Sequence, residues 1–304
     1  MDMPLRGRIA LVAGATRGAG RGISVALGEL GATVYCTGRT SNSTPLTQRS
    51  RPETIEETAA LVTAAGGRGI AVVVDHSDPT QIDSLVAKIR DEQGRLDLLV
   101  NDIWGGESLV EWGKPFWELS SEQGFAMFAQ AVHTHIQTTR SAMPLLFESS
   151  GGLIVEITDG DALYYRGNLF YDLVKTTVMR LAFAMSEELA DRGVAAIAVT
   201  PGFLRSEAML EHFGVTPATW RDAAATDPNF AHSETPLLVG RGIARMAADP
   251  SILALSGKTV ASWTLAHRYD LVDADGSRPD WGAYAASQDF GAAQAASHAR
   301  FANP

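Results

Sequence analysis

The chain has 304 residues, 45% hydrophobic and 20% charged, which gives enough apolar side chain for a large core in one or two globular domains. Its 25 Lys+Arg against 35 Asp+Glu leave a formal net charge of -10, and no dense basic run exists to track nucleic-acid phosphates or an anionic membrane. One cysteine, Cys36, excludes an intrachain disulfide and a cysteine-based zinc site. No stretch approaches the ~20 apolar residues of a membrane span, and residues 1–6 lack the apolar core of a signal peptide. A cytoplasmic location is expected.

Taken in chain order, residues 8–13 form an unbroken apolar run ending at Gly14, as in a strand buried on both faces of a parallel sheet. A helix over 20–30, with Ile23, Leu27 and Leu30 on one face, stops at Gly31. A second strand covers 33–37, and the polar stretch 40–51 reads as a loop. Pro52 is expected to open a helix in which Ile55, Leu61 and Val62 face a core. A third strand over 70–74, a helix over 82–89 and a fourth strand over 96–100 follow. Then come a long helix over 121–147, a fifth strand over 153–157, a helix over 169–191 and a sixth strand over 194–199. The pattern lapses after Pro201 and resumes with a helix near 237–248 and a strand near 258–263. Seven strands separated by helices predict an α/β fold, a doubly wound parallel sheet in a single domain over 1–286. Residues 203–236 would form a substrate lid, and 287–304, rich in Ala, Gln, Ser and Gly, a loosely ordered tail. The acidic run over 269–276 lacks the ligand spacing of a calcium loop, and no metal is proposed.

The first strand runs into Gly14-Ala15-Thr16-Arg17-Gly18-Ala19-Gly20. Glycines between a strand and a helix let a phosphate approach the backbone at the positive helix end, the arrangement of a dinucleotide site. The second strand ends Gly38-Arg39-Thr40, with no carboxylate for a ribose 2′-hydroxyl. Arg39 and Arg17 could instead clamp a 2′-phosphate, so NADP(H) is expected over NAD. Farther on, Tyr171 and Lys175 stand at i and i+4, on one face of the helix after the fifth strand. An ammonium beside a phenol lowers its pKa from ~10 towards a range useful for proton transfer.

The spacing Gly-x-x-x-Gly-x-Gly, together with Tyr171-x-x-x-Lys175, resembles the short-chain dehydrogenase/reductase family over about residues 5–265. The resemblance implies a Rossmann-type fold and hydride transfer between NADPH and a carbonyl, with Tyr171 as acid and Lys175 binding the nicotinamide ribose. It places Asp75 against the adenine with His76 on the same edge, Asn101 at the first asparagine of the family's Asn-Asn-Ala-Gly segment, Pro201-Gly202 beside the nicotinamide, and Ser206 at the cofactor's phosphate or amide. The family's serine falls on Thr158 or Asp159; Thr158 is expected to orient the carbonyl, while Asp159 could bind an amine or iminium. The family's relay asparagine falls on Ala131, with His133 and His135 nearby as substitutes. The aromatic residues Trp104, Trp112, Phe116, Trp117, Tyr164, Tyr165, Phe213, Trp220 and Phe230, with Met209 and Leu210, point to a bulky apolar substrate. Family members commonly pair as homodimers or homotetramers. Two alternatives stay open, an imine reductase using Asp159 and an NADPH-binding sensor without turnover.

Overall fold

The computed structural model describes residues 3–45, 47 and 51–302; residues 46 and 48–50 of the expected 40–51 loop lie outside these, as do the outermost two at each end. Seven parallel strands form one sheet in the order β3-β2-β1-β4-β5-β6-β7. They are β1 (Ile9–Ala13), β2 (Thr33–Gly38), β3 (Arg68–Val73), β4 (Leu98–Asn101), β5 (Leu153–Ile157), β6 (Ala195–Thr200) and β7 (Thr259–Ala261). Every residue of β1, β4, β5 and β6 is buried, which explains why these strands read as continuous apolar runs and not as alternating ones. The order reverses between β1 and β4, and a crevice for ligands opens there at the carboxyl ends of the strands.

The helices are α1 (Gly18–Glu29), α2 (Ile55–Ala64), α3 (Pro79–Gln93), α4 (Ser121–Phe128), α5 (Thr134–Phe147), α6 (Leu169–Glu188), α7 (Glu207–Phe213), α8 (Pro236–Ala248), α9 (Ser262–Tyr269), α10 (Trp281–Ala286) and α11 (Asp289–Ala302). One core layer joins α1, α2 and α8 to the sheet through Ile23, Leu27, Val62 and Ile243. The other joins α3 and α5 through Ile82, Leu85, Ile89 and Leu146.

Four expectations are corrected. The second helix is opened by Thr54, not Pro52, in a reciprocal capping box with Glu57; Leu61 points outward at 45% exposure. The long helix over 121–147 is interrupted at Ala129–His133 by a five-residue π segment, which offsets α5 from α4. The seventh strand ends at Ala261, and Trp263 already belongs to α9. The tail is helical in α11, because alanine has the highest helix propensity even where no apolar stripe announces a helix. It returns to the sheet's carboxyl end: the backbone N–H of Leu163 donates to His298 Nδ1 at 3.2 Å and that of Tyr165 to Ser297 Oγ at 3.1 Å.

Candidate active site

A cavity of about 810 Å³ lies over the carboxyl ends of the central strands. Its floor is the turn between β1 and α1. Gly14 has φ +94, and a Cβ there would sit 2.4 Å from the Asp102 carbonyl oxygen; a Cβ on Gly20 would sit 2.3 Å from the Gly14 carbonyl. Only glycine permits this closeness. The first turn of α1 contains no acid, and its N-cap, Arg17, makes no side-chain cap bond, so its N–H groups point outward as an anion cradle.

Thr16, Arg17, Gly18, Ala19, Arg39, Thr40, Asp75 and His76 line one end of the cavity. Arg51 joins them, a residue the sequence reading missed because it lies in a polar loop without periodicity. Among the described residues, Arg17 Nη1 and Arg51 Nη1 are buried without a hydrogen-bond partner. Burial and the neighbouring charge of Arg51 lower the Arg17 pKa. Each guanidinium has only a loose ion pair, Arg17 Nη2 to Glu107 and Arg51 Nη1 to Glu211, both at 3.9 Å, and donors left this free beside a glycine cradle fit a dinucleotide carrying an extra phosphate. His76 is enclosed, with Nε2 2.8 Å from Thr37 Oγ1 and Nδ1 2.9 Å from Thr138 Oγ1; burial pushes it down to about 4, so the ring is neutral. Asn101 is not in the cavity wall. Its Nδ2 donates to Thr139 Oγ1 at 2.9 Å and to Glu156 Oε1 at 2.7 Å, tying β4 to β5 and α5.

At the other end, Asn168 caps α6 by accepting the Tyr171 N–H at 3.1 Å, which sets the tyrosine in the first turn. Lys175 stands one turn later, its Nζ 4.2 Å from the centre of the Trp104 ring and 5.6 Å from that of Tyr171. The Tyr171 hydroxyl donates to Asp159 Oδ2 at 2.9 Å. Thr158 also lines the cavity, but its Oγ1 is spent on the Lys175 carbonyl at 2.8 Å and the residue is buried. The side chain that meets the tyrosine is therefore Asp159, whereas the sequence favoured Thr158. Counting residues could not choose between neighbours just past a strand end that both reach the cavity.

The charge balance also differs from expectation. Burial, the Asp159 charge and the hydrogen bond to it raise the Tyr171 pKa well above its usual value, so the phenol is neutral. Burial lowers that of Lys175. Arg166 is a further residue the sequence did not reveal. It is buried, its Nε donates to the Asp159 carbonyl at 2.7 Å, and its Nη1 pairs with Asp172 at 2.9 Å, holding the 159–166 loop in shape. His135 spends both ring nitrogens, on Glu156 Oε2 at 2.6 Å and on the Ile103 carbonyl at 3.0 Å. His133 is exposed. Ala131 is buried in the π segment.

Trp104, Tyr164, Phe203, Met209, Trp263 and Trp281 line the apolar part of the cavity beside Pro201, Gly202 and Ser206. Ser206 also caps α7, accepting the Met209 N–H at 3.3 Å. Phe230 and Trp220 form a separate lid core with Phe203, Met209, Leu210 and Phe213 around them, and Phe116 and Trp117 are exposed. The lid is anchored by a buried ion pair, Arg205 to Asp273 at 3.0 Å.

Behind the Pro201-Gly202 turn, Glu234 is buried and accepts from Ser262 Oγ at 2.6 Å, while its Oε1 has no partner among the described residues. Burial pushes this carboxyl up to about 8. The folded chain thus keeps a proton that the unfolded chain gives up near pH 4.5, and stability falls as pH rises between those values. Glu234→Gln is expected to remove part of that slope, raising Tm at pH 8 relative to the parent by about 3–5 °C. Thermal melts at pH 5 and 8 check this; equal slopes for both proteins would refute it.

The short chain dehydrogenase family matches residues 8–213, from β1 to the end of α7. The chain is similar to dehydrogenase/reductase SDR family member 1 of Mus musculus, 33% identical over 91% of this chain and 86% of that one. It is also similar to the 3-oxoacyl-acyl-carrier-protein reductase of Escherichia coli, 26% identical over 67% of this chain and 77% of that one. Among solved structures, a short chain dehydrogenase of Mycobacterium thermoresistibile superposes with a TM-score of 0.74 at 21% identity, covering 91% of this chain and 92% of that one. With the match spanning the phosphate turn and the Tyr171/Lys175 helix, the chain belongs to the short-chain dehydrogenase/reductase family of oxidoreductases.

Proposed function

We propose that the protein is a cytoplasmic NADP(H)-dependent reductase that transfers hydride between NADPH and a ketone/alcohol centre of a bulky apolar substrate. The observation that carries this reading is a neutral Tyr171 phenol beside Lys175, in the same cavity as the glycine cradle and the Arg17, Arg39 and Arg51 cluster. Bound there, the cofactor would supply hydride to the substrate carbon. Tyr171 holds the proton at Oη and gives it to the substrate oxygen as negative charge develops, a role that a protonated phenol suits. Lys175 offsets the phenolate left behind. Gly14, Gly18 and Ala19 would take the diphosphate, and Asp75 and His76 the adenine edge. Ser206 and the Pro201-Gly202 turn would flank the nicotinamide. Exposed Phe125, Ile136, Leu173 and Phe183 on α4, α5 and α6 support a homodimer or homotetramer.

A second reading is favoured by the Asp159 contact. A carboxylate next to the proton donor repels a developing alkoxide but attracts an iminium. Hydride added to the iminium carbon leaves the former π pair on nitrogen as a neutral amine. That step takes no proton from Tyr171, and Asp159 accepts the substrate N–H.

Paired fluorescence titrations with NADPH and NADH test the cofactor assignment. NADPH is expected to bind at least about tenfold tighter, roughly 1.4 kcal/mol. Arg39→Ala and Arg51→Ala should each weaken NADPH by about tenfold and leave NADH nearly unchanged. Equal losses for both nucleotides would remove the 2′-phosphate role, and binding of neither nucleotide would overturn the functional reading.

A further inference from the structure

The cradle already holds an anion supplied by the chain. Glu207 is the first residue of α7, on the lid, and its Oε2 accepts the Gly18 N–H at 2.8 Å. Its other oxygen lies 3.9 Å from Arg21 Nη1. Gly18 opens α1 and lines the cavity together with Glu207 itself. A carboxylate here meets the same donor, with the same sign of charge, as a phosphate would. One backbone N–H facing one way cannot serve two anions at this distance, and two anions side by side repel each other. Neighbouring groups sharpen the conflict. Arg21 is already paired with Glu57 at 2.9 Å. Asp102 approaches the next turn position, its Oδ2 2.9 Å from where a Gly20 Cβ would be.

We propose that Glu207 is an internal stand-in for the dinucleotide's phosphate and sets cofactor affinity: the cofactor enters by displacing this carboxylate, which unlatches the lid helix from α1. The proposal rests on the dinucleotide reading of the cavity. It makes Glu207 a residue that opposes binding, unlike the arginines that favour it. It also gives α7 two states, latched on Gly18 before the cofactor arrives and released after.

The test uses the full-length protein with NADPH as the probe, in Glu207→Ala and Glu207→Gln variants. Both are expected to bind NADPH about five- to tenfold tighter than the parent, while the cofactor-free variants melt at lower temperature because the latch to Gly18 is weakened. Opposite signs on affinity and on cofactor-free stability are what a merely structural contact would not produce. Unchanged or weaker NADPH binding in both variants, with the parent binding normally, overturns the role of Glu207 and leaves the dinucleotide reading intact. If the parent and both variants bind neither NADPH nor NADH, both readings fail together. Binding by the variants alone would support the displacement in its strongest form.

Discussion

Replacing Tyr171 by phenylalanine is expected to lower turnover by about 10³-fold or more while NADPH affinity changes by less than about threefold. The substitution removes one oxygen and keeps the ring that packs between Trp104 and Trp112. The fold should therefore be unaffected, since the hydroxyl's partner in the free protein, Asp159, also reaches the cavity. The measurement pairs steady-state rates on a ketone panel with nucleotide titration. Turnover within tenfold of the parent would show that another group carries the proton, or that the reaction needs none from this residue. The outcome also separates the two substrate classes. A ketone requires a proton in the transition state, whereas an iminium does not, so an intact rate on a cyclic imine with a lost rate on a ketone would favour the second reading.

Asp159→Ser should shift substrate preference by about 10² in favour of a neutral ketone over a cyclic imine of the same shape. The serine hydroxyl can donate to a carbonyl oxygen, which the carboxylate cannot, and the negative charge that retains a cation is gone. Asp159→Asn provides the control, because it keeps size and removes charge, so it should lose imine turnover with a smaller gain on the ketone. Ratios of kcat/KM for the matched pair decide the matter. A ratio that stays the same in both variants would mean that Asp159 only holds Tyr171 and never meets substrate.

The sheet was legible because parallel strands buried on both faces leave unbroken apolar runs between glycine and polar breaks, and β1, β5 and β6 show this within a residue or two. The phosphate turn was legible for a related reason, since a backbone this close to itself admits no residue but glycine at Gly14 and Gly20. What the sequence could not resolve was direction. Thr158 and Asp159 are consecutive at the end of β5, and only the three-dimensional turn shows which one meets Tyr171. Arg51 and Arg166 escaped because loop residues carry no periodic signal, and Glu207 because it opens a helix of only seven residues, too short to show one. Their roles come from where the 159–166 loop and the lid are folded back. The helical tail was misread for the opposite reason: α11 buries no side chain fully, so it has no apolar stripe to betray it.

That last helix has a consequence for the order in which the protein becomes competent. The loop beside Tyr164 is held by side chains more than 130 residues later in the chain, His298 on Leu163 and Ser297 on Tyr165. During synthesis the sheet and both helical layers can assemble while this support is still unmade, because domains condense as the chain emerges from the ribosome. The shape of the loop beside Tyr164 is therefore completed only after all seven strands have been made, and a chain without α11 would keep the glycine turn while losing the two bonds that fix that loop.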